Sequence, residues 1–112
     1  MTIPKAFLDH KKGTTWDGAE FIVTETDENG VVNPKDLTGV IILAKFKVNN
    51  NTVFEFKNSD GTITVPNPTN GKFYFTPRLM NVGANVYIFD VVLTLPDGTI
   101  EYIPTHSWTI FK

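Results

Sequence analysis

The sequence predicts an all-β sandwich of about seven to eight short antiparallel strands. Three features predict it. Apolar residues alternate with polar ones in segment after segment, a period of two that lines one face of a pleated strand and no single face of a helix. Those segments are filled with β-branched and aromatic residues, which favour a pleated, half-buried surface. Between them fall clusters of Gly, Pro, Asn and Asp. Glycine there supplies positive φ, while Asn and Asp bond their own backbone and tolerate the left-handed region.

Taken in chain order, Ala19, Phe21 and Val23 share one face of the first clear strand, and Asp27-Glu28-Asn29-Gly30 turns the chain. Val40, Ile42, Ala44, Phe46 and Val48 line the next strand, with Lys45 and Lys47 pointing the other way, before a turn at Asn49-Asn50-Asn51. Phe54 and Phe56 alternate with Val53, Glu55 and Lys57; a turn at Asn58-Ser59-Asp60-Gly61 leads to a short strand carrying Ile63 and Val65. After the turn Pro66–Gly71, Phe73 and Phe75 flank Tyr74. The segment Thr76–Ala84 is the one place where a short helical turn could sit. Tyr87, Phe89, Val91, Leu93 and Leu95 form the longest one-sided stripe, Pro96-Asp97-Gly98 turns it, and Trp108 and Ile110 close the chain. Pro104 interrupts the last segment, and a proline inside a ladder implies a bulge or an edge.

With 112 residues the chain is the size of one domain. Its net charge of −2 gives no general attraction to nucleic acid or to an anionic membrane. Cysteine is absent, which removes disulfides, thiolate metal sites and cysteine nucleophiles together. No apolar run approaches the ~20 residues that cross a bilayer, and residues 1–12 lack the uninterrupted apolar region of a secretory peptide. The expectation is a chain made in the cytoplasm and kept or assembled there.

Chemistry-bearing residues are scattered. His106 and Ser107 are adjacent, but neighbouring strand residues point to opposite faces, so they do not form a nucleophile–base pair. The carboxylates are spread through the chain and several lie in turns, where Asp is expected on conformational grounds. Asp90 sits opposite the main apolar stripe and is expected to form a cross-strand ion pair with Lys45, Lys47 or Arg78. The acidic turns at Asp27 and Asp60 lack calcium-loop spacing. No phosphate loop or dinucleotide fingerprint occurs. Phe73, Tyr74 and Phe75 could stack bases, but only Lys72 and Arg78 lie near them in sequence, and core packing accounts for the rings. The expectation is therefore a protein that is not an enzyme, with no cofactor, no metal, and no nucleic-acid or membrane partner.

The residues singled out for partner binding are Ile3, Phe7, Leu8 and Trp16. The first three are apolar yet precede the regular strand pattern, so residues 1–11 read as an N-terminal arm on a domain spanning 12–112. Such an arm has two destinations: an extra strand on its own sandwich, or a strand added to a neighbour's sheet. The second predicts that removing it leaves the domain folded and abolishes assembly. Trp16 is either core or an interface anchor; Trp108 is read as core.

Several stretches together match a known pattern: Lys12-Gly13-Thr14-Thr15-Trp16-Asp17-Gly18; Asp36-Leu37-Thr38-Gly39 leading into Val40–Lys47; Gly61-Thr62-Ile63-Thr64-Val65; Asn67-Pro68-Thr69-Asn70-Gly71-Lys72-Phe73; Gly83 with Tyr87 and Asp90; and Leu95-Pro96-Asp97-Gly98-Thr99. In this order, over about residues 12 to 111, they resemble the immunoglobulin-like domains of tailed-bacteriophage virion proteins. The N-terminal domain of phage baseplate upper proteins is the nearest type, and small capsid or tail accessory proteins are similar in kind. Each motif alone recurs in unrelated sandwiches; their order carries the resemblance. It implies an immunoglobulin-like antiparallel β-sandwich and a non-enzymatic structural role in the virion, as a capsid decoration, fibre-anchoring or baseplate or tail adaptor protein. The implied partners are other virion proteins (capsid, tail or fibre) and further copies of itself in a homo-oligomer. The alternative is a carbohydrate- or host-surface-binding module of the same fold, with Trp16 and Tyr102 as its exposed rings.

Overall fold

The computed structural model describes residues 3–112. Twelve strand segments follow one another: β1 (His10–Lys11), β2 (Thr15–Trp16), β3 (Ala19–Ile22), β4 (Thr24–Thr26), β5 (Val32–Pro34), β6 (Ile41–Val48), β7 (Asn51–Lys57), β8 (Ile63–Thr64), β9 (Lys72–Phe75), β10 (Arg78–Leu79), β11 (Asn85–Thr94) and β12 (Ile100–Phe111). They form an all-β, sandwich-like architecture. One layer is a five-stranded sheet in the order β1-β12-β11-β6-β7, antiparallel except that β1 runs parallel to β12. Facing it are the antiparallel sheet β3-β9-β8 and the short pair β2-β10. The hairpin β4-β5 forms a separate ribbon.

The alternation that predicts the strands also sets the core. Ile42, Ala44 and Phe46, then Tyr87, Phe89, Val91 and Leu93, then Trp108 and Ile110 are buried on the inner face of the large sheet. Phe73, Phe75 and Ile63 are buried opposite them. The layers meet through aromatic rings: Phe56 stacks on Phe75 at 4.8 Å and Trp16 lies 4.6 Å from Trp108. Such pairs add about 0.5–1.5 kcal/mol each beyond the area they bury.

Local devices fix the register. Asn49 and Asn50 both adopt positive φ (52° and 65°) between β6 and β7, as a two-residue hairpin turn requires. Where β7 ends, the Asn58 side chain continues its ladder on β6, donating to the Val40 carbonyl (2.8 Å) and accepting from the Ile42 N–H (3.0 Å). Gly18 has φ +89°, and a Cβ there would lie 2.2 Å from the Phe75 carbonyl oxygen, so only glycine lets the chain cross β9 at this point.

Pro104 does mark a bulge: Phe89 pairs with His106 and Val91 with Ile103, so β12 uses three steps where β11 uses two. Thr76–Ala84 holds no helical turn. It contains β10, and its apolar Met80 is wholly buried while the Met80 N–H bonds the Thr14 carbonyl. The two 3-10 turns lie instead at Asn58–Asp60 and Pro68–Asn70, each closed by a glycine in the left-handed conformation. The expected strands correspond to the six segments of four or more residues and to the two-residue β8. The other two- and three-residue pieces, β4 and β5 among them, are too short to show periodicity.

Candidate interaction surfaces

The N-terminal arm lies along its own sandwich. The Ala6 N–H donates to the Ser107 carbonyl and the Ser107 N–H to the Pro4 carbonyl, both at 2.9 Å, and Lys5 bridges Ser107 in parallel register. Further on, His10 pairs with Ile110 and the Lys12 N–H reaches the Phe111 carbonyl at 2.7 Å. From Lys5 to His10 is five steps; from Ser107 to Ile110 is three. The two extra residues make the arm bulge outward around Leu8 and Asp9. The Trp108 indole N–H holds the bulge by donating to the Leu8 carbonyl at 3.1 Å.

This geometry separates the four residues singled out for partner binding. Phe7 points inward, its ring 4.9 Å from Trp16, 5.2 Å from Trp108, 5.8 Å from Phe89 and 5.9 Å from both Phe21 and Phe75. Trp16 is only 8% exposed and belongs to the core. Leu8 is 91% exposed and Ile3 42%. The arm thus presents Ile3 and Leu8 outward, while Phe7 and Trp16 anchor it from within. Of the two destinations open to the arm, it takes the strand on its own sandwich, and the packing of Phe7 ties it to the core. A bulged edge also resists further strand pairing.

A second surface is the outer face of the five-stranded sheet. Leu43, Ile88 and Val92 floor a concavity of about 650 Å³, with Tyr102, Lys45, Lys47, Asp90, Thr105 and Asn50 around it. Tyr102 is 67% exposed. Asp90 stands directly opposite Lys45, but the expected ion pair does not form. The Asp90 carboxylate instead accepts the Thr105 hydroxyl, which the β12 bulge brings within reach. Glu55, on the other side of Lys45, is taken by Lys57 at 3.1 Å. Among the described residues no ion pair within 4.0 Å involves Lys45 or Lys47. The groove is therefore an aliphatic floor with two lysines that make no ion pair within 4.0 Å among the described residues, and one carboxylate, Asp90, in the same lining.

The remaining acids serve the turns. The Thr38 hydroxyl and N–H both donate to Asp36, and Thr62 does the same to Asp60, which holds both carboxyls below the usual carboxylate range. The Thr99 N–H, assisted by its hydroxyl, lowers Asp97 in the same way. Asp27 accepts the Asn29 and Val31 N–H groups, which makes it a turn residue. Lys35 bridges Glu101 at 3.0 Å and Glu25 at 3.4 Å, tying the β4-β5 ribbon to β12; the hydrogen bond to Glu101 chiefly raises its pKa. His106 lies 6.0 Å from the Phe89 ring and Ser107 takes part in the arm's backbone ladder. Phe73 and Phe75 are buried, so no three-ring stacking platform is exposed there.

Comparison with protein-family models, with curated proteins and with solved structures finds no match for this chain. The groove on the outer sheet face is the feature that reading the sequence missed. Its signal was present in Leu43, Lys45 and Lys47 alternating on one side of β6, but which strands lie beside β6 is set by topology.

Proposed function

We propose that this chain is an immunoglobulin-like structural domain of a tailed-bacteriophage virion, which acts through protein–protein contacts and catalyses no reaction. The order of sequence motifs supports the virion assignment. The strand order supports the immunoglobulin-like one. If β12, β11, β6 and β7 are read as strands G, F, C and C′, and β3, β9 and β8 as B, E and D, the strand order in both layers is compatible with an immunoglobulin arrangement. Tyr87 near the start of β11 donates its hydroxyl to the Gly83 carbonyl at 2.6 Å, the bond of the tyrosine corner at this place in the fold. Burial raises the Tyr87 pKa and keeps the hydroxyl a donor. Where antibody domains have an inter-sheet disulfide, Phe7 here bridges Phe21 of β3 and Phe89 of β11.

The observation that carries the role in assembly is the arm: Phe7 locks it to the core, and its bulge holds Leu8 out in solvent. The Leu8 backbone is held by the Trp108 indole, so docking costs less ordering of the chain there, which suits a contact residue. The test is incorporation. Leu8→Asp and Ile3→Asp variants, supplied in place of the natural chain during growth of the phage that encodes it, should fold normally yet be depleted from purified particles. Equal incorporation of variant and natural chain refutes the role of the arm. The carbohydrate-binding alternative is weakened by the burial of Trp16, which leaves Tyr102 as the only ring of the two in a position to face a sugar.

A further inference from the structure

The hairpin β4-β5 has no cover of its own. Every residue of both strands is exposed, and a two-stranded ribbon alone is marginally stable in water. It nevertheless carries Val31 and Val32, with Ile22 just before it, all more than half exposed. At its tip Asp27 and Glu28 form an adjacent acidic pair, and neither takes part in an ion pair within 4.0 Å among the described residues.

The outer-sheet groove has the complementary character. Its floor is aliphatic, its two lysines outnumber its one carboxylate, Asp90, and make no ion pair within 4.0 Å among the described residues, and no residue of the hairpin lines it. Its volume of about 650 Å³ falls in the ~300–1,000 Å³ range of sites that enclose a ligand. We propose that this groove receives the Asp27–Val32 tip of a second copy of the chain. Lys45 and Lys47 face the Asp27 and Glu28 carboxylates, and Val31 and Val32 cover Leu43, Ile88 and Val92. Donor and acceptor surfaces are different patches, so the contact is head-to-tail and propagates into a ring or an open filament. This contact is argued from the two surfaces alone and does not rest on the virion reading, although it would supply the homo-oligomer that reading implies.

The test is solution mass by light scattering and sedimentation over a range of concentrations and salt. The natural chain should grow in mass with concentration, and less so near 1 M salt, where screening acts over ~3 Å. Lys45→Glu/Lys47→Glu and Asp27→Lys/Glu28→Lys should each be folded monomers. Mixed together they should associate again, since an acidic tip meets a native groove and a basic tip meets a reversed one. A second measurement traps the contact even when it is too weak to change the mass. The chain has no cysteine, so Glu28→Cys and Lys47→Cys copies, mixed and oxidised, should form a disulfide dimer far faster than Glu28→Cys with Asp97→Cys. A natural chain that is monomeric at every concentration, with equal cross-linking at the two positions, overturns the proposal. So does a groove that binds an acidic oligosaccharide while copies stay apart.

Discussion

Truncating Phe7 to alanine should unfold this protein more readily, although the residue lies seven positions from the N-terminus and outside the regular strands. Five rings surround it: Trp16, Phe21, Phe75, Phe89 and Trp108, with centroids between 4.9 and 5.9 Å. Removing a fully buried phenylalanine costs ~3–5 kcal/mol. Phe7 is only partly buried, so an expected loss of about 2–3 kcal/mol is appropriate, equivalent to roughly 8–15 °C in Tm for a domain of this size. The assay is urea unfolding followed by tryptophan fluorescence. Trp16 and Trp108 are the only two tryptophans and both touch Phe7, so the native emission should change as well. The urea midpoint should fall with little change in slope. A loss below about 0.5 kcal/mol, the range of ordinary surface changes, would mean that the arm is not docked and that Leu8 is not held outward by it.

Other outcomes follow from the same geometry. Leu8→Asp should leave stability within about 0.5 kcal/mol of the natural chain by the same urea assay, because the side chain is almost wholly in water. Tyr87→Phe removes the bond to the Gly83 carbonyl and should cost about 1 kcal/mol in thermal unfolding; an unchanged Tm would deny the corner a structural role. Gly18→Ala should cost more than ~1 kcal/mol, since the added Cβ meets the Phe75 carbonyl at 2.2 Å and φ is positive. Acid should also destabilise the fold. Asp36, Asp60 and Asp97 have carboxyl pKa values below their unfolded values. Their contribution is therefore present above the unfolded value of about 3.9 and is lost as pH falls through the lower folded values. Asp60→Asn should flatten the dependence of stability on pH below about 4, as read by urea midpoints; an unchanged slope would refute the linkage.

Strand periodicity was legible wherever a strand was long enough to repeat it. On β6 and β11 the stripes Ile42-Ala44-Phe46 and Tyr87-Phe89-Val91-Leu93 are the buried faces, because burial on one face imposes period two. Pro104 marked its bulge for a similar local reason: a missing N–H disturbs a ladder. Phe7 was legible as apolar but not as core, since its partners come from β2, β3, β9, β11 and β12 and no local pattern reports them. The fate of Asp90 was obscured by the bulge it faces: a straight β12 would not bring Thr105 to it, and Lys45 would have been the natural partner. The β4-β5 ribbon escaped notice because it buries nothing and so carries no alternation.

The proposed role as a structural component of a virion is tested most directly by the chain's copy number, by quantitative mass spectrometry, in density-purified particles of the phage that encodes it. A virion component should keep a fixed ratio to the major capsid protein, matching a symmetry of the capsid, tail or baseplate and unchanged through further purification. Particles that are complete and infectious without the chain, or that shed it progressively on purification, would contradict it.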